Sequence, residues 1–129
     1  MFSYCYHLTA FSAKTPKLSI GRDMFSRVGA EGWSEPTLRT IQMDFDSLTD
    51  GYRMFAECGN VELVSNKKLN GCFDFPLLTE AFEMFRGVSK ITVREGGSDQ
   101  SASFGYMEFS SLTDANHMFQ GYKDSYATI

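Results

Sequence analysis

The sequence predicts an α+β protein made of two similar halves. One eight-residue pattern occurs four times, the segments between its copies read as short strands, and two copies lie half a chain apart. The pattern is Leu-[Ser/Thr]-x-[Gly/Ala]-x-x-Met-Phe, at 18–25, 48–55, 78–85 and 112–119. Leucine, the small residue and the Met-Phe pair fall at i, i+3, i+6 and i+7, a spacing that predicts one short amphipathic helix per copy. Repetition of the same apolar stripe assigns those methionines and phenylalanines to the core.

The helix ends have matching signals. Ser47 with Asp50 and Ser111 with Asp114 have capping-box spacing, and Thr15-Pro16 reads as a cap followed by proline at the first helical position. Gly59 and Gly121 read as stops. Gly21, Gly51, Ala81 and Ala115 share one place in the stripe, where a small side chain lets a helix lie close to a sheet.

Strands are expected where β-branched and aromatic residues alternate with polar ones: 4–11, 38–45, 61–64, 72–75, 91–94, 104–109 and 126–129, with an eighth near 27–33. The segment Met43–Phe55 runs parallel in sequence to Met107–Phe119, 64 residues later. That correspondence divides the chain into halves, 1–66 and 67–129, with turn chemistry at Lys67–Gly71 between them. Each half reads βαββαβ, a ferredoxin-like unit whose antiparallel sheet carries helices on one face, and the two units are expected to pack together.

Composition bounds the class. The 129 residues are 43% apolar and 22% charged with a net charge of −4, so a packed core is expected and long-range attraction to phosphate backbones is not. Cys5, Cys58 and Cys72 are odd in number and have no C-x-x-C spacing, which suits a reducing, cytoplasmic compartment. No apolar run has the ~18 residues of a membrane span. Unpaired edge strands leave monomer and homodimer open.

Phe104-Gly-Tyr-Met-Glu-Phe109, running into Ser110-Ser-Leu-Thr-Asp-Ala115, resembles the third-strand ribonucleoprotein motif and second helix of RNA-recognition-motif domains. The resemblance covers 72–129 and implies a sheet face that binds single-stranded RNA. Alternation draws the same face independently. With Met107 and Phe109 inward, Phe104, Tyr106 and Glu108 lie on the open side, where the neighbouring strand adds Lys90, Thr92 and Arg94. Two aromatics between two cations suit base stacking, a protein partner, or burial where the two halves meet. The matched first-half positions Thr40, Gln42 and Asp44 lack aromatics.

Catalytic chemistry has little to stand on. His7 alternates with Cys5 and Thr9, but neither a third metal ligand nor an orienting carboxylate lies nearby, so it reads as structural. His117 falls on the polar side of its repeat, the stretch 95–100 lacks the lysine of a phosphate loop, and Asp44, Asp46 and Asp50 read as capping and solvated acids. No catalytic residue, metal or cofactor is expected.

The function expected is a non-enzymatic binding module. It would be a small regulatory or inhibitory protein that docks on a larger protein or ribonucleoprotein, as a virus-encoded inhibitor of a host complex does, through Phe104, Tyr106, Lys90, Arg94 and Glu108. One alternative is an RNA-binding protein using that face. Another is a small α+β-barrel enzyme with a cavity holding His7 or a tyrosine.

Overall fold

A computed structural model describes residues 2, 8–27, 38–68, 72–96 and 107–120. These residues form six strands: β1 Ala10–Ser12, β2 Arg39–Met43, β3 Asn60–Ser65, β4 Phe73–Asp74, β5 Lys90–Glu95 and β6 Met107–Glu108. Among the described residues there is no α-helix. Every strand pairing is parallel: one sheet has the order β1-β2-β3-β5, and β4 pairs with β6.

The expected α+β architecture of ferredoxin-like halves, with antiparallel sheets and helices on one face, is therefore incorrect. The repeats are instead the rungs of a parallel β-solenoid. The division expected between residues 66 and 67 falls between β3 and β5, which pair with each other over six residues.

Sequence explains the strands directly. β2, Arg-Thr-Ile-Gln-Met, alternates buried and half-buried positions, the period-2 signature of a strand with one covered face. In β3 five of six residues are buried, as in strands interior to a parallel sheet.

Register exposes a shorter repeat than the motif spacing. Thr40 pairs with Glu62, 22 residues on, whereas Ala10 pairs with Thr40 and Asn60 with Lys90 at 30. One rung therefore needs 22 residues, and the surplus sits in excursions. Met43 reaches Leu48 in five residues, but the equivalent Ser65 reaches Leu78 in 13 and Glu95 reaches Leu112 in 17. The first rung inserts its extra eight after Arg27 instead. These insertions turn a 22-residue period into the motif spacings of 30, 30 and 34.

The motif copies fold as successive tight turns. Within the first, the N–H of Met24 donates to the Gly21 carbonyl at 3.1 Å and that of Ser26 to Asp23 at 3.3 Å. Asp23, Arg53, Glu83 and His117, the sixth residue of each copy, have φ of 53°, 49°, 51° and 57°. A left-handed residue at that place ends any helical run. Hydrogen bonds that a helix would make to itself go to the neighbouring rung. The N–H groups of Gly21, Asp23, Phe25 and Arg27 donate to the carbonyls of Asp50, Tyr52, Met54 and Ala56 at 2.7, 2.9, 2.9 and 2.7 Å, and the scheme continues to Gln120.

Each motif letter now has a physical reason. Phe25, Phe55, Phe85 and Phe119 form a ring column with centroid spacings of 5.7, 5.4 and 5.5 Å, capped by Phe2 stacked on Phe25 at 5.4 Å. The small residue makes room for the next rung's methionine: a Cβ on Gly21 would lie 2.6 Å from Met54 Sδ, and one on Gly51 would lie 2.9 Å from Met84 Sδ. The hydroxyl residue builds a ladder. Ser19's carbonyl accepts the Thr49 N–H, the Asp50 N–H and the Thr49 hydroxyl at 2.8, 3.0 and 3.0 Å, and Thr49 and Thr79 receive the same three bonds from the rungs that follow. A second ring cluster, Phe45, Phe73, Phe75 and Phe109, fills the corner where the excursions rejoin.

Candidate functional site

The sheet face expected to carry the site is only partly engaged as drawn. Lys90 is exposed at the start of β5, and Arg94 lies four residues along the same strand, about 13 Å at the usual rise per residue. Arg94 Nε donates to Glu62 Oε2 at 3.2 Å, with both side chains largely buried, and the Thr40 hydroxyl donates to Glu62 Oε1 at 3.2 Å. The Arg94 charge is thus satisfied inside the protein. Val64, in register between Gln42 and Arg94, is fully buried although alternation turns it away from Val61 and Leu63.

Glu108 belongs to the separate β4–β6 pair rather than to the strand beside Lys90 and Arg94. It accepts a hydrogen bond from the Cys72 thiol at 3.0 Å, and that bond to a carboxylate is the chief reason the thiol titrates above its ordinary value. Phe104 and Tyr106 lie outside the described residues, as do Cys5 and His7. Nothing in the structure confirms an RNA-recognition-motif-like domain, because the strand that carries Met107 and Glu108 pairs in parallel and no helix follows it among the described residues.

The corner beneath the excursions is polar and internally satisfied. Asn66 donates to the Ala13 carbonyl at 2.7 Å and to Asp44 at 3.1 Å while accepting from Gln42 at 3.0 Å, so three rungs are tied at one amide. Lys67 lies 2.8 Å from Asp46 and 3.4 Å from Asp74. The hydrogen bond to Asp46 is the largest of the effects holding its ammonium above the usual lysine value. Among the described residues no group of three or more histidine, cysteine or acidic side chains converges to hold a metal. No helix in the described residues is long and apolar enough to cross a membrane.

The turns carry an arrangement on their outer face that strand alternation alone does not reveal. Arg22, Tyr52 and Phe82, the fifth residues of the first three copies, form one stripe across the rungs. The Arg22 guanidinium sits 4.4 Å over the Tyr52 ring, Tyr52 stacks on Phe82 at 5.3 Å, and Phe82 meets the His117 imidazole at 5.9 Å. Beside the stripe runs a carboxylate column, Asp50, Glu80 and Asp114. Each uses one oxygen to accept the N–H two residues ahead, at 3.0 Å. On its other side Glu83, 9% exposed, meets Arg53 at 3.3 Å, Arg86 at 3.3 Å and His117 at 3.9 Å.

A signal for this stripe was present in the sequence. The fifth position varies as Arg, Tyr, Phe and Asn, which reads as a meaningless solvent position on four separate helices and as one surface when the copies stack. Comparison with protein-family models, with curated proteins and with solved structures finds no match to this chain.

Proposed function

We propose that this chain is a non-enzymatic binding module, a small regulatory or inhibitory protein that docks on a larger protein through the outer face of its turns. The observation that carries the reading is the Arg22–Tyr52–Phe82–His117 ladder, a continuous side-chain surface crossing four rungs. Solenoids recognise partners in this way, because stacking fixes the spacing of side chains that are distant in sequence. Tyr and Arg supply large contact areas at interfaces with limited ordering cost.

A protein partner is favoured over RNA by the charge arrangement. Of the cations proposed for phosphate contact, Arg94 is committed to Glu62, and the turn face carries acidic columns that repel a phosphate backbone.

The test is a quantitative capture experiment from cell lysate with three proteins: the unmodified chain, a Tyr52→Ser/Phe82→Ser variant and a Lys90→Ala/Thr92→Ala variant. Captured proteins should be lost with the turn-face variant and retained with the sheet-face variant, both shown folded by circular dichroism. Retention by the turn-face variant, or binding of single-stranded RNA at low salt that the turn-face variant preserves, overturns the proposal.

A further inference from the structure

We propose that the first-rung end of the stack is a docking surface for the fourth-rung end of a second copy of this chain, and that Phe2 is a plug that competes for it. Phe2 shows what the surface accepts. Its N–H donates to the Met24 carbonyl at 2.6 Å while its ring stacks on Phe25 at 5.4 Å. Inside the stack Phe25, Phe55 and Phe85 make the same pair of contacts one rung on. Their N–H groups donate to the carbonyls of Met54, Met84 and Met118 at 2.9 Å, and each ring stacks on the next. Phe2 therefore stands where the eighth residue of a preceding turn would stand, and Met1-Phe2 is a fifth Met-Phe pair in the sequence.

The plug covers only part of that end. Leu18 is half-buried and Ser19 and Ile20 are exposed, whereas Leu48 and Leu78, the counterparts of Leu18, are fully buried between rungs. At the opposite end Leu112 is half-buried and Ala115 exposed, although Gly21, Gly51 and Ala81 are buried at Ala115's place in the motif. These ends are the two sides of a contact the chain already makes three times. The Thr113 carbonyl is placed to accept the Ser19 N–H, Ile20 N–H and Ser19 hydroxyl of the next copy, just as Ser19's carbonyl accepts those of Thr49 and Asp50. The N–H groups of Ala115 and His117 would donate to the next copy's Ile20 and Arg22 carbonyls, as those of Gly21 and Asp23 donate to Asp50 and Tyr52. Charge runs through the junction as well. The sixth residues are Asp23, Arg53, Glu83 and His117 in order, and Arg53 and His117 lie 3.3 and 3.9 Å from Glu83, so a protonated His117 against the next copy's Asp23 continues the alternation. A contact between unlike ends does not close on itself, so it builds open chains of copies unless an end is capped.

Sedimentation velocity between about 5 and about 500 µM tests this, because association of copies depends on concentration. Phe2→Ser, which opens the first-rung end, should form species that grow with concentration and should associate at least tenfold more tightly than the unmodified chain. Phe2→Ser/Ala115→Arg should be monomeric, since an arginine at the exposed Ala115 position blocks the fourth-rung end. Mixed with the unmodified chain, that double variant should give a 1:1 dimer that grows no further, because the mixture joins one open first-rung end to one open fourth-rung end. Circular dichroism checks that each variant is folded, and Phe2→Leu, which keeps apolar cover without the ring, replaces Phe2→Ser if the serine variant is not. A folded Phe2 variant that stays monomeric throughout, growth that Ala115→Arg does not stop, or a mixture that fails to form the 1:1 dimer overturns the proposal.

Discussion

The turns and the excursions obey different rules within one chain. In the turns every residue from Ser19 to Arg27 faces its counterpart one rung away, so ring meets ring, hydroxyl meets carbonyl and methionine meets a small residue. Between rungs length is free: the motif spacings of 30, 30 and 34 residues exceed the 22-residue rung by eight, eight and twelve, yet the β1–β2–β3–β5 register is kept. Sequence identity is thus enforced where rungs touch and relaxed where the chain leaves the stack, because loop closure grows only slowly with length whereas a buried contact is lost at once.

Phe55→Ala should sharpen the contrast most. Phe55 is fully buried with a ring on either side, and its truncation should cost about 3–5 kcal/mol, read as a fall in the chemical-denaturation midpoint. A loss under about 1 kcal/mol would mean that the ring column is not what holds the rungs together. A smaller effect is expected from Gly21→Ala, about 1–2 kcal/mol, because the new methyl must displace Met54 Sδ from 2.6 Å, and the thioether can yield part of that distance. Both substitutions fall in the turns.

The excursions should respond weakly. Inserting Gly-Ser-Gly-Ser after the exposed Lys68 lengthens one of them and should cost no more than about 0.6 kcal/mol, whereas the same insert after Arg53 should abolish cooperative unfolding altogether. Equal effects at the two places would erase the distinction.

The smallest effects concern protons at the excursion corner. Both Lys67 and Cys72 have raised values, so each contributes stability that is present below the ordinary titration of its group and is lost as pH climbs through the raised one. Unfolding midpoints should therefore show no loss from these groups between pH 6 and 8 and should decline at alkaline pH, where thiol and ammonium deprotonate. Glu108→Gln removes the carboxylate that disfavours the Cys72 thiolate, and alkylation at Cys72, followed by peptide mass spectrometry at pH 8, should speed up several-fold while buried Cys58 remains slow.

Much of this was legible in the residues, but not its geometry. Strands β2, β3 and β5 follow from alternation and β-branching, and the four repeats follow from the pattern itself. The helices were misread because a turn stack can place Leu, Gly, Met and Phe inward at the same i, i+3, i+6, i+7 spacing. At the sixth position of each copy the left-handed residues are Asp, Arg, Glu and His, none of them glycine, so that position gives no warning in the sequence. Insertions also hid the 22-residue rung inside a 30-residue spacing. For the site, alternation placed Lys90 and Arg94 on one side of β5, but it held no information that Glu62 would reach Arg94 from the next strand.

Beyond the Ser19–Thr49–Thr79 ladder, whose N–H donors point the other way, the hydrogen bonds between turns run in one direction, and this has an electrical consequence. From Gly21 to Gln120 the donors in this column point toward the fourth rung and the acceptors toward the first, so their peptide dipoles add as they do along a helix axis. The fourth-rung end is accordingly partially positive and the first partially negative. Fixed charges oppose that polarity: the opening turn bears Arg22, Asp23 and Arg27, while the last bears Asp114. A stack of turns can therefore act as a capacitor plate pair whose poles are already met by counter-charge.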